Sequence, residues 1–493
     1  MTLHLIRRPV QRPEGLRLPV SVALLALVAA CATNPVTGRR ELTFMSEAQE
    51  ISIAQESDPQ IKEEMGIYND PELQGYVTDI GQRMAKISER PHLPWRFTVV
   101  DVPAVNAFAV PGGGIYITRG IMPFLDSEAE LAGVIGHEIG HVTARHSAQQ
   151  YTRQITGQVG LLALGIFVPA ARPFGDLTGQ ALGVLFLKYG RDDEIQADRL
   201  GARYESTGGW DPAAVPGFLS TLGRLDEAAG DRRGVPNWLS THPDPLARVN
   251  DIQPTVAQIK AAGTSFTTNR DALMQRIDGI MYGDNPEQGL ARGSVFLHPV
   301  LRFRIDFPDK WEIANSPQEV VAKAPGADVF MILQQVEKPQ GRNIQEIALN
   351  SMGNAGFRSS QGERASINGL DAFVGVYQGQ VEGLGAVVTR AAHITYDGKV
   401  YVVAGLVPPN AFQQADRAFL ASIRSFRRLS AEEAEDIRPD RVDLYVVRGG
   451  DTWLSIAERS GGAVTPATLA VMNNATPGSQ PQPGARIKIV VRG

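Results

Sequence analysis

The 493-residue chain holds a single cysteine, Cys31. One thiol forbids an intramolecular disulfide, and it forbids a zinc or iron–sulfur site built from several thiolates. A basic excess is missing too: 48 Lys and Arg stand against 53 Asp and Glu, for a formal net charge of −5. That balance argues against a nucleic-acid binder, whose phosphate-binding face needs surplus cations. Long apolar runs are also lacking. Val159–Val168 and Ala181–Leu187 fall short of the ~20 residues that a membrane-crossing helix needs, so they are expected to form a hairpin that packs on the core, with skimming a membrane as the alternative. With 43% hydrophobic residues, 50 Gly and 32 Pro, collagen-like, coiled-coil and wholly disordered classes are excluded. The length suggests two to four domains.

Arg7, Arg8, Arg12 and Arg17 precede an apolar stretch that ends in Val28-Ala29-Ala30-Cys31. A basic start, a short apolar segment and small residues before a cut site read as a secretory signal over residues 1–30. The last four residues resemble a bacterial lipobox, which implies lipidation at Cys31. A diacylglyceryl thioether with an N-acyl chain supplies the several acyl chains that stable anchoring requires. Ala32, not an acidic residue, follows, which resembles outer-membrane retention. Residues 31–45 are expected to be a tether.

A first folded unit is expected over residues 46–260. Glu47 and Glu50 follow Ser46 at a helix start, and residues 46–90 read as helix, break, helix. Trp95 to Asp101 alternates as a strand. Val105–Val110 and Ile115–Thr118 flank the turn Pro111-Gly112-Gly113-Gly114. A long helix is expected from Ser127 to Gln150, with Ser127 and Glu130 as a capping box and Leu131, Val134, Ile135, Ile139 and Val142 as its apolar stripe.

On that helix stands His137-Glu138-Ile139-Gly140-His141. Residues four apart share a helix face, so both imidazoles can address one cation while Glu138 reaches a water beside it. Zn²⁺ suits such ligands and lowers the pKa of its water to near 7. A third protein ligand must leave one position open. His146 is badly spaced for it. Glu194 lies on a later helix beginning near Arg191, with Asp198 on the same face. This makes Glu194 the candidate ligand and Asp198 the carboxylate that orients a ligand histidine.

His-Glu-Ile-Gly-His followed by Glu194-x-x-x-Asp198 resembles the gluzincin peptidases related to HtpX-type and CAAX prenyl proteases, peptidase family M forty-eight. Asn106-Ala107-Phe108-Ala109 and the strand after it resemble the family's segment upstream of the metal helix. Thr241-His242-Pro243 with Arg248 resembles its downstream His-Pro segment. Asn34-Pro35-Val36-Thr37-Gly38 after a lipobox resembles its periplasmic lipoprotein branch. The resemblance spans residues 31–255. It implies one Zn²⁺ per chain on His137, His141 and Glu194, with Glu138 as the base that takes a proton from water and returns it to the leaving amine. It also implies a substrate strand added at Asn106–Ala109 or at Ile115–Ile117. His242 either donates to the oxyanion or serves as a fourth, regulatory ligand, and Arg248 stabilises charge or pairs with Asp198 or Asp244.

Residues 261–290 are expected to link this unit to a second one at 291–430. There Leu301–Phe307 alternates strictly, and Tyr396-Asp397-Gly398-Lys399 signals a hairpin. Ala415 to Phe426 is an amphipathic closing helix. Phe-Pro-Asp-Lys-Trp311 faintly resembles the Mog-one/PsbP-like sandwich domains. An acidic linker, residues 431–442, precedes residues 443–493. Tyr445-Val-Val447, Gly450-Asp-Thr-Trp453, Asn473-Asn474 and Gly484–Ile489 resemble a LysM module, which implies peptidoglycan as a partner.

The expected architecture is multidomain α+β. It comprises a mainly helical gluzincin domain with a small sheet, an α/β sandwich-like domain and a small βααβ unit. The expected function is a lipid-anchored periplasmic zinc endopeptidase acting on unfolded or misassembled envelope proteins at the outer membrane. The alternative is a cell-wall-binding scaffold or chaperone with little proteolytic activity.

Overall fold

The computed structural model describes residues 31–153, 189–229, 238–381 and 384–493. The expected signal segment and both apolar runs, Val159–Val168 and Ala181–Leu187, lie outside the described residues.

The first helices are α1 (Glu47–Met65), opened by a Ser46/Gln49 capping box, and α2 (Pro71–Ile87), capped by Asp70. A three-stranded sheet follows, in the order β3 (Arg96–Val100), β5 (Gly114–Thr118), β4 (Ala107–Val110). β3 runs parallel to β5, and β4 runs antiparallel to it. The tight β4–β5 turn needs Gly112 and Gly113, whose φ angles are +92° and +107°. This sheet and α2 pack around α3 (Glu128–Thr143), whose residues are all buried. Such a helix is covered on every side because it is central, and its polar residues are buried with the rest.

Helix α3 is shorter than the expected Ser127–Gln150. Arg145 takes a left-handed conformation, φ 61°, and breaks the helix before it resumes at residues 146–153. Arg145 is held there by Glu50 Oε1 at 2.8 Å and the Met45 carbonyl at 2.7 Å. Only half of the expected capping box forms. Ser127 accepts from Glu130 N, but the Glu130 carboxylate accepts from Asp126 N. Helices α4 (Arg191–Thr207), α5 (Ala214–Ala229), α6 (Trp238–Thr241) and α7 (Pro245–Ala261) complete the helical layer.

Two expected linkers are built into the structure instead. Within the tether segment, β1 (Cys31–Thr33) pairs with β2 (Arg40–Leu42), and buried Asn34 donates to the Ala144 carbonyl at the end of α3. Within 261–290, α8 (Arg270–Ile277) places Leu273 and Ile277 in the α3 core. Arg119 then ties the Met281 and Gly283 carbonyls down. Apolar residues spaced for a core override the loop-like composition.

The middle unit is a seven-stranded antiparallel sheet, with a helix at Ile344–Asn354 on one face. A helix at Phe412–Ser425 and a four-stranded sheet cover the other. Its hairpin turns at Asp397 and Gly398, both with positive φ, as a two-residue I′ turn requires. The C-terminal unit runs β7 (Asp440–Val446), two helices (Trp453–Arg459 and Pro466–Met472) and β8 (Arg486–Val491). β7 also pairs with β6 (Met281–Tyr282), so it joins the sheet to the supposed linker.

Candidate metal centre

Helices α3 and α4 approach unusually closely, and glycine is the reason. A Cβ on Gly140 would lie 3.1 Å from the Ala197 Cα and carbonyl oxygen, and one on Gly136 would lie 3.1 Å from the Gly201 Cα. Both are tighter than ordinary contact. This seam sets His137 and His141 opposite Glu194 and Asp198.

One ligand atom each from His137, His141, Glu194 and His242 falls within 4.8 Å of the others, and all four residues are buried. His137 Nε2 is 3.0 Å from His141 Nε2, 3.2 Å from His242 Nδ1 and 3.6 Å from Glu194 Oε2. Glu194 Oε1 is 2.9 Å from His242 Nδ1 and 3.5 Å from His141 Nε2. Ligands about 2.0–2.1 Å from a tetrahedral zinc are separated by about 3.3 Å, so this spacing fits the ion. The donor set, imidazole and carboxylate, fits as well.

The supporting contacts fix each ligand. Asp198 Oδ1 accepts from His137 Nδ1 at 2.9 Å, which leaves Nε2 free for a cation. Arg248, 1% exposed, grips Asp198 at 2.8 and 2.6 Å and places Nη1 2.6 Å from Glu194 Oε2. Burial alone would raise the Asp198 and Glu194 carboxyls. The cationic neighbours, led by Arg248 for Asp198 and by His242 and Arg248 for Glu194, hold both below the usual range. Burial pushes His141 far below the ordinary imidazole value, so it is neutral, as a ligand must be. Burial raises Glu138, and neither of its carboxylate oxygens has a hydrogen-bond partner. Such an unsatisfied buried carboxyl, 3.5 Å from His242 Nε2, is suited to exchanging a proton.

Two residues of the site escaped sequence reasoning. Tyr189 stacks on His141 with ring centroids 3.8 Å apart, and Trp238 stacks on His242 at 4.2 Å. His146 is no ligand here. The break at Arg145 turns it back so that its Nδ1 meets His141 Nδ1 at 2.9 Å, while Gln196 holds its other nitrogen. Nothing local in the sequence signals the stacking pair, because both depend on segments brought in from afar.

The strand expected to receive substrate is in part ruled out. β5 is the middle strand, so Ile115–Ile117 offers no free edge. β4 is an edge, but Phe108 points into the core beneath α1, stacked on Tyr116 at 5.0 Å. Asn106 is buried and accepts from the Ala107 backbone N–H, while Ala107 and Ala109 face the α3 core. The Trp238 backbone N–H donates to the Val105 carbonyl, so the segment carrying His242 is fastened to the start of β4.

A two-histidine, one-glutamate centre with a neighbouring unpartnered glutamate, held between two close-packed helices, defines a zincin-type metal site. Residues 71–256 match the model described as Peptidase family M48. The chain is 31% identical over 244 residues to the β-barrel assembly-enhancing protease of Escherichia coli (strain K12), covering 48% of this chain and 49% of that one. It is 31% identical over 241 residues to the mitochondrial metalloendopeptidase OMA1 of Schizosaccharomyces pombe, covering 46% of this chain and 67% of that one. The chain belongs to peptidase family M48, whose members are zinc-dependent metallopeptidases. It spans about half the length of the first bacterial relatives it matches. The solved structure of cyanobacterial PsbP from Synechocystis is 13% identical, with a TM-score of 0.22 over 28% of this chain and 95% of that one. A likeness at that score carries no argument about the middle unit.

Proposed function

We propose that this chain is a zinc metalloendopeptidase that hydrolyses misfolded or stalled envelope proteins, anchored by lipid at Cys31 on the periplasmic face of the outer membrane. The convergence of His137, His141 and Glu194 beside the unpartnered Glu138 carries the catalytic part of this reading. The printed names of the bacterial relatives support the choice of client. No helix of the described residues is long and apolar enough to cross a membrane, which is compatible with a lipid anchor as the attachment.

Zinc bound to His137, His141 and Glu194 supplies a Lewis acid and an acidified water. Glu138 takes the proton from the attacking water and gives it to the leaving amine. Arg248 and Asp198 hold His137 in the tautomer that keeps Nε2 unprotonated. His242 fills a fourth corner of the ligand set in this conformation. With the metal held by the other three, its ring would donate to the developing oxyanion. β4, the edge strand of its sheet, would supply the backbone groups on which an extended client segment pairs. The βααβ order of the C-terminal unit supports a LysM-like module that touches peptidoglycan.

The test is incubation of the zinc-loaded chain with an unfolded outer-membrane β-barrel protein and, separately, with isolated cell wall. Cleavage of the protein alone is expected. An intact protein with wall binding would favour a scaffold instead.

A further inference from the structure

We infer that Lys488, carried by the C-terminal unit, is a positioning residue for the metal-ligand helix α3, which makes this unit a working part of the peptidase beyond any binding role. The kinetic half of this inference rests on the peptidase reading; the structural half does not.

Lys488 sits on β8, yet its side chain is fully buried (0% exposed). It reaches across to the peptidase side, where its ammonium donates to the Leu125 carbonyl and lies 3.9 Å from Asp126 Oδ1. Those two residues immediately precede Ser127, the N-cap of α3. Asp126 N in turn donates to Glu130 Oε2 at 2.6 Å, in the first turn. One cation from a distant segment therefore fixes the start of the helix that carries His137 and His141.

The contact is keyed. Asn473 donates to the Lys488 carbonyl and accepts from its backbone N–H, both at 2.8 Å, so the lysine's position on β8 is set twice. Arg270 clasps the same corner, donating to the Arg486 carbonyl at 3.1 Å and pairing with Asp126 at 3.3 Å. Phe124, at the end of the turn before Asp126, belongs to the apolar core of the C-terminal unit. Burying an ammonium costs several kcal/mol unless carboxylate and carbonyl partners are in place. An appended domain held by surface contacts has no need of one. Here the cation is spent on the N-terminal turn, about 15 Å along the axis from His137 at 1.5 Å per residue. Because α3 is close-packed on every side, a shift at its start cannot be absorbed locally.

The test uses the full zinc-loaded chain, with an unfolded outer-membrane β-barrel protein as substrate. Lys488→Met is expected to fold and to hold one zinc. Hydrogen exchange over residues 126–136 should rise at least about tenfold. kcat should fall about tenfold with KM within about twofold, less than the roughly hundredfold that a full 1 Å misplacement costs. Arg486→Ala, which removes only an exposed ion pair to Asp271 at the same junction, should leave both at wild-type values. If Lys488→Met does not fold, Asn473→Ala, which frees the strand carrying the lysine, replaces it with the same expectations. Unchanged exchange overturns the inference. Raised exchange with unchanged kcat also overturns it, leaving a structural clamp. A wild-type chain without proteolysis would sink the peptidase reading instead, while the exchange measurement still decides whether Lys488 orders the helix.

Discussion

Gly140→Ala is the smallest change that should open the metal site without touching a ligand. The added methyl would meet the Ala197 Cα and carbonyl oxygen at 3.1 Å and the Leu200 Cβ at 3.2 Å. Ordinary contact begins near 3.4 Å and is comfortable nearer 3.8 Å, so the helices must separate by roughly 0.5 Å. Two of the contacting atoms are backbone, and no side-chain rotation relieves them. Zinc sites tolerate ligand displacements of about 0.2 Å. A separation of more than twice that, applied between His141 and Glu194, should weaken zinc binding by ~10–100-fold, the range seen when ligand orientation is disturbed. Overpacking should lower apo-protein stability by ~1–3 kcal/mol. Competition against a chelator reads the first effect, and thermal unfolding of the metal-free chain reads the second. Wild-type zinc affinity in a folded Gly140→Ala protein would refute the claim that the glycine seam sets the ligand spacing.

Three further outcomes are expected. Asp198→Asn removes the charged acceptor from His137 and the partner of Arg248, and should cost ~10–100-fold in zinc affinity by chelator competition. Glu205 is fully buried with both oxygens unpartnered, and burial, then the charges of Asp211 and Glu130, raises its carboxyl well above the ordinary 4.5. The folded chain thus keeps this proton after the unfolded chain has released it, so stability should fall as pH rises above about 4.5; Glu205→Gln should flatten that slope in thermal melts across pH 5–8. Cys31→Ser should move the protein from the membrane to the soluble periplasmic fraction; unchanged fractionation would remove the lipid anchor.

What sequence could and could not show follows from the range of each signal. His137, Glu138 and His141 were legible because residues four apart on a helix are neighbours whatever the rest of the fold does. Glu194 and Asp198 were legible for the same reason. Their distance from the histidines was not, because it depends on Gly136, Gly140 and Gly201 meeting across two helices. The end of α3 was missed because an arginine rarely takes positive φ, and only the Glu50 carboxylate and Met45 carbonyl hold Arg145 there. That miss concealed the role of His146. The segments at 31–45 and 261–290 looked like connectors because Pro, Gly, Thr and Asn interrupt any apolar period in them. Asn34, Leu273 and Ile277 are nonetheless buried, through contacts more than a hundred residues away in the chain. Lys488 carries no sequence signal of its role, since nothing nearby announces that its side chain crosses into another unit.

The most direct test of the whole account is the Glu138→Gln variant, measured for bound zinc and for cleavage of an unfolded outer-membrane protein. It should keep one zinc per chain, because Glu138 is not among the four clustered ligands. It should lose ~10²–10⁴-fold in cleavage rate, the contribution of a positioned acid–base group. Full zinc-dependent cleavage by that variant would contradict the assignment of Glu138 as the base.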